Sequence, residues 1–328
     1  MQKQIQRREF LKLASALALS GFIPPALAAS LKQDFTIYGA PAMPSLIIAI
    51  AALQGQLAKQ TDLSLKIWRN PDQLRAGVAS GKFKVMMSPA NVGVNLRNQG
   101  QNVAMVDILT GGIVSLMSKK PLSELGDLQS KKVIMPFKND MPDIIFRALL
   151  SQMKINLDKI SITYTATPAE AMMLFLTKDY DATFVPEPLA SACILKGKKL
   201  GVNVVRNFEI PKLWQEAFNT SKPIMPLAGI ISNVDFYQQH QEQFELLHQD
   251  LTHALHWIKN NPQSAAEIGT NYFPAPQPAI ANAIPHSNLM VVKGREIQNE
   301  IMQFLEIIMR YNPKLLGGKL PSDNYFLC

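Results

Sequence analysis

Apolar and polar positions along the chain fall into two alternating rhythms. Short runs rich in β-branched or aromatic residues, Phe35–Tyr38, Leu63–Trp68, Phe83–Met87 and Val103–Val106, are separated by stretches of helical length with apolar residues at steps of three and four. Strands that alternate with helices imply an α/β fold with a mostly parallel sheet and crossover helices. The rhythm then restarts. Lys132–Met135, Ile160–Tyr164 and Ala182–Val185 bracket helices expected at Pro142–Met153 and Pro168–Thr177. This second series predicts a second α/β lobe, entered through Val114–Lys120 and left through Pro223–Ser232, with Ala228–Ile231 returning as a strand to the first. Two crossings between lobes make a hinge.

Beyond residue 240 the pattern is helical. Phe244, Leu247, Leu251, Leu255 and Ile258 form one apolar stripe, and Ile297, Ile301, Phe304 and Ile308 another. The beginning of the chain reads differently. Lys3, Arg7, Arg8 and Lys12 precede an uncharged apolar stretch, Leu13–Ile23, that is too short to span a bilayer, and Ala26-Leu27-Ala28 suits signal cleavage. Arg7-Arg8-Glu9-Phe10-Leu11-Lys12 resembles a twin-arginine export signal. The expected organisation is therefore a signal peptide at 1–28, a first lobe with the C-terminal helices at 29–118 and 225–328, and a second lobe at 119–224.

Loss of residues 1–28 removes four basic residues and one acidic residue, which lowers the formal charge from +8 to +5. No dense Lys/Arg run with interleaved aromatics accompanies that modest excess, so nucleic acid is not an expected partner. The two cysteines are Cys193 and Cys328. Cys193 lies beside Leu189 and Ala192 on an apolar helix face, so a buried thiol is expected there, with a bridge to Cys328 as the alternative. No Gly-rich phosphate loop, H-E-x-x-H, paired C-x-x-C or G-x-S-x-G is present, so no catalytic residue, metal or cofactor is assigned. His240, His248, His253 and His256 read as a solvated helix surface, with a metal site as the alternative.

One local feature recurs. A strand ends, a turn or capping residue follows, and proline opens the next helix, at Pro44, Pro71, Pro89, Pro142, Pro168 and Pro188. Thr167-Pro168-Ala169-Glu170 has the spacing of a capping box. In a parallel sheet these helix starts gather on one edge, where backbone N–H groups and the helix dipole favour anions.

Tyr38–Ala42, the Pro71 helix start, Met87–Asn91, Asp140–Asp143, Asp181-Ala182 and Glu187–Ala190 together resemble the periplasmic binding proteins of nitrate, sulfonate and taurine importers, a group with relatives that bind thiamine-pyrimidine precursors. That resemblance implies a two-lobed, type II-like binding-protein fold, a small and anionic ligand held by lobe closure, docking on an ABC permease in the inner membrane, and a monomer. It places ligand contacts on the loops after the first strands of each lobe: Tyr38, Gly39, Ala40, Met43 and Ser45; Ser88, Pro89, Ala90 and Asn91; and Phe137, Lys138, Asp140, Met141 and Asp143. Arg69, Thr110, Gly111, Thr167 and Glu187 complete the expected set. Lys138 and Arg69 could pair with a sulfonate or carboxylate, whereas Asp140, Asp143 and Glu187 could meet an amine or ring nitrogen. A pyrimidine precursor is the alternative ligand. A cofactor-dependent enzyme or metallochaperone is the alternative of another class, since twin-arginine export carries folded proteins. A sensor subunit would share the same fold.

Overall fold

A computed structural model describes residues 32–327; the signal segment, its cleavage site and Cys328 lie outside them. Two sheets organise the chain. The first, of six strands, has the order β11-β4-β10-β3-β1-β2, where β1 is Asp34–Gly39, β2 Asp62–Ile67, β3 Val85–Pro89, β4 Val103–Thr110, β10 Ala228–Asn233 and β11 Leu289–Lys293. The second has the order β7-β6-β8-β5-β9, with β5 at Val114–Ser118, β6 Lys132–Pro136, β7 Ser161–Thr165, β8 Ala182–Pro186 and β9 Val205–Asn207.

The alternating strands pair in parallel, β1 with β3 and β6 with both β7 and β8. Where the chain changes sheets, a strand runs the other way: β10 is antiparallel to β3 and β4, and β5 to β8 and β9. β11, at the edge, is also antiparallel to its neighbour β4. The change falls at Gly111-Gly112-Ile113, so Val114–Ser118, expected as the joining segment, is itself a strand of the second sheet. The return strand β10 does rejoin the first sheet, between β3 and β4. The two crossings touch: Met225 N donates to Gly111 O at 2.8 Å, and Gly111 N to Asn288 O at 2.9 Å. Gly112 adopts φ +139° with Pro211 Cγ 2.7 Å from where a Cβ would stand, a position only glycine fills without strain.

The core follows from burial on both sides. All eight residues of β4 are buried, as are residues 44–51 of the helix Pro44–Gln54, whose apolar content runs round the whole helix rather than along one stripe. The helices Gln241–Asn260 and Gln298–Tyr311 are amphipathic and bury the expected stripes. His248 departs from the expected solvated surface. Its Nδ1 meets Oδ1 of the buried Asp107 of β4 at 2.6 Å, which raises the imidazole pKa above its ordinary value. Phe83 precedes β3 rather than opening it, because its ring fills the space beside Gly77 and stacks on Tyr38. Cys193 is buried, and burial pushes its thiol up to about 12; a bridge to Cys328 lies outside the described residues. Among the described residues no helix is long and apolar enough to cross a membrane.

Candidate functional site

Proline opens helices at Pro44, Pro71 and Pro168 and stands second in Met141–Gln152, whereas Pro89 and Pro188 are N-caps one position earlier than expected. Thr167 accepts from Glu170 N at 3.2 Å, while the Glu170 carboxylate reaches back to Ala166 N rather than to Thr167 N.

The expected residues fall into three groups. The first lies at the ends of β1 and β3. Ser45 Oγ donates to Ala40 O at 2.7 Å and contacts Met87 sulfur, and Ser88 Oγ donates to Pro89 O at 3.0 Å, so both hydroxyls are committed to shaping their own turns. Trp68 holds both strand ends, donating its backbone N–H to Gly39 O and its indole N–H to Met87 O. Ala40 and Met43 are buried, and the Tyr38 ring stacks on Phe83 with centroids 3.6 Å apart. Arg69 is exposed. Asn91, at the start of the helix Ala90–Asn98, is buried with Oδ1 unpartnered, a costly arrangement for a polar atom and one that a bound donor would relieve.

The second group is the loop after β6. Phe137 and Asn139 both take positive φ, at 61° and 62°, and Phe137 stands 37% exposed. Asp140 caps the backbone N–H of Met141. Fully buried Asp143 accepts from Asn139 N, Arg147 Nε and Tyr164 OH at 2.7–2.8 Å. Burial and that bond to Asp143 push the Tyr164 phenol up to about 12. Lys138 lies over the Tyr164 ring at 5.6 Å, a cation–π contact. Asn312 donates to Asn139 O at 2.9 Å and so ties this loop to the end of the helix Gln298–Tyr311.

The third group stands at the crossing. Thr110 Oγ1 donates to Ser287 O and accepts from Gly112 N, so it fastens the crossing rather than facing open space. Glu187 pairs with Arg206 Nη2 at 2.6 Å and accepts from Ser191 N at 3.0 Å. Burial raises the Glu187 carboxyl and Arg206 works against that rise. Arg206 Nη2 also donates to Ser191 Oγ, which in turn meets Asn282 Oδ1 at 3.0 Å, on the helix Gln277–Ala283.

Beside this group lies a cavity of about 630 Å³ walled by residues from both sheets' surroundings: Val114, Ser115 and Arg206 from β5 and β9, Phe208–Pro211 beyond β9, and Pro285, His286 and Asn288 before β11. None of the residues expected from sequence lines it. Arg206 was the missed signal, a lone charge in the short strand Val205–Asn207 that follows the apolar Val204. His286 gave none, because only the fold carries it there. Burial first, then Arg206, lower its pKa.

A family model described as the NMT1-like family matches residues 72–270, more than half of the chain. The chain belongs to the NMT1-like family. A search of curated protein sequences gave no significant match. Among solved structures, this NMT1-like chain resembles an ABC transporter protein of Parabacteroides distasonis, with a TM-score of 0.73 at 16% identity over 89% of this chain and 98% of that one. It also resembles the periplasmic aliphatic sulphonate-binding protein of Escherichia coli, with a TM-score of 0.66 at 14% identity over 87% and 90% of the two chains. A third likeness is to the periplasmic nitrate-binding protein of Synechocystis, with a TM-score of 0.62 at 14% identity over 88% and 83%. The sulphonate- and nitrate-binding proteins fall within the group that the sequence resembles, and the fold shared with this NMT1-like chain is that of the periplasmic binding proteins.

Proposed function

We propose that this chain is a periplasmic receptor of an ABC importer, a binding protein rather than an enzyme, which captures a small anionic solute between two lobes and presents it to a membrane permease. The lobes in this reading are 35–110 with 228–327, and 114–218. The observation that carries it is the paired crossing, in which Gly111–Ile113 and Met225–Leu227 run side by side between the sheets and are joined by one backbone hydrogen bond. Two parallel connections at facing strand edges permit rotation about a single line, the geometry of hinge closure. The sulphonate- and nitrate-binding proteins of the same fold support an anion.

Side-chain chemistry favours the same sign. Of Asp140, Asp143 and Glu187, the carboxylates that could meet an amine or a pyrimidine, Asp143 and Glu187 already accept from Arg147, Tyr164, Arg206 and Ser191 N, and Asp140 caps Met141 N. Export by the twin-arginine route rests on Arg7 and Arg8, outside the described residues. A thermal-shift screen across sulfonates, oxyanions, carboxylates and pyrimidines tests the reading, since a ligand of the native state raises its stability by mass action. Small-angle scattering with the solute that scores must show compaction. A chain equally extended at saturation refutes capture by closure, and stoichiometric metal in protein purified without added metal favours the metallochaperone alternative.

A further inference from the structure

We infer that the cavity at the crossing holds the acid head of an organic anion on Arg206, with an apolar body lying against Phe208, Ile210 and Pro211. The inference rests on the receptor reading and sharpens it, because it selects an organic acid over a bare inorganic oxyanion and names the residue that grips it. Arg206 offers five N–H donors in a planar fork. Its hydrogen bonds to Glu187 and Ser191 both leave from Nη2; among the described residues none uses Nη1, and Nε is buried without a partner. Fully buried Glu187 is absent from the cavity lining, whereas Arg206 belongs to it with 15% of its side chain exposed. Glu187 thereby fixes the fork through Nη2 and leaves Nη1 unpaired.

The remaining walls complete the selection. Glu209 also lines the cavity, and its charge is met by Lys212 at 2.8 Å. His286, in the segment before β11, lines the cavity with Arg206 of β9, so an occupant touches groups attached to both sheets. A volume of about 630 Å³ lies within the range of pockets that take organic ligands and exceeds what nitrate or sulfate fills. Phe208, Ile210, Pro211, Val114 and Pro285 contribute the apolar share of a lining that is otherwise polar.

Titration calorimetry on the full chain with 1-butanesulfonate, methanesulfonate and nitrate tests the inference. Butanesulfonate is expected to bind one per chain, on the order of fiftyfold more tightly than methanesulfonate, as three further methylenes leave water. The double substitution Arg206→Gln with Glu187→Gln removes the charge while leaving no buried carboxylate alone, and is expected to weaken butanesulfonate at least about tenfold. His286→Ala is the second variant should that pair fail to fold. The His286 ring resonances must move on titration of the parent chain and reach their limit at the same stoichiometry. Nitrate binding as tight as butanesulfonate, or a silent His286, overturns the inference. So does a loss of affinity in Lys138→Ala and Arg69→Ala instead of at Arg206, an outcome that leaves the receptor reading standing. If a nitrogenous solute binds and no anion does, the Arg206 site falls alone; if no solute of any class binds, both readings fall.

Discussion

Gly229 sits in β10 between β3 and β4, opposite Ser88 on one side and Ile108 on the other, with a register shift on each side of the pair Gly229–Ile230. A Cβ at this position would stand 1.9 Å from Asp107 O and 2.9 Å from both Asp107 C and Ile108 Cα, all backbone atoms of a fully buried strand. Carbon and oxygen require more than 3 Å, so Gly229→Ala must push β10 and β4 apart by about 1 Å where neither has room to yield. Overpacking of this kind costs about 3 kcal/mol or more. For a chain of this size that corresponds to a fall in Tm of roughly 6 °C or more. Circular dichroism melts of the parent chain and the variant measure it. Gly100→Ala is the comparison: unlike Gly229, Gly100 takes a left-handed φ, +89°, but it has no atom within 4 Å of its notional Cβ, so it is expected to lose only about 1–2 kcal/mol, from backbone strain alone. If Gly229→Ala melts within about 2 °C of the parent, the close approach of β10 to β4, and with it the register of the return strand, is wrong.

Glu187→Ala leaves the Arg206 guanidinium without its carboxylate, and because Arg206 keeps some contact with water the expected loss is about 3 kcal/mol, at the lower end for a broken buried pair; urea unfolding measures it. Trp214 is fully buried between Phe218 and Phe304, at ring distances of 4.3 and 5.5 Å, so Trp214→Ala is expected to cost about 3–5 kcal/mol by the same assay. His248 has a folded-state pKa raised above 6.5 by its bond to Asp107, so its stabilisation is complete below pH 6.5 and is lost as pH rises through the folded value. The Tm advantage of the parent chain over His248→Gln should therefore be largest at pH 6 and shrink towards pH 9, and an advantage that grows with pH refutes the pairing.

The alternation of strands and helices was legible because period-2 and period-3.6 burial leaves its mark on every residue: the helix Pro168–Thr177 ends where the sequence puts it, and β6, β7 and β8 shift by at most a residue. The crossing was read a few residues late. Val114–Ser118 is fully apolar or small and buried on both faces, and such a run does not reveal which of two sheets it joins. The site was less legible for a related reason. Helix-start signals locate loops, and they did find the ends of β1, β3, β6 and β8, but they say nothing about which hydroxyls and carboxylates are already spent. Ser45, Ser88, Thr110 and Asp143 turn their polar atoms to neighbours in the fold. Arg206 and His286 are eighty positions apart and meet only through the packing of the segment before β11 beside β9.

The place of β10 has a consequence for synthesis. Until residue 228 has emerged, β3 and β4 lack the strand that separates them, and each presents a bare row of amides and carbonyls to whatever lies nearby. A ribosome-bound or truncated chain ending in the second sheet is thus an adhesive half-product, however well its later strands have paired. Both neighbours of β4, β10 and then β11, follow the second sheet in the chain, so a product cut short before residue 289 still exposes an unpaired strand edge and is open to self-association.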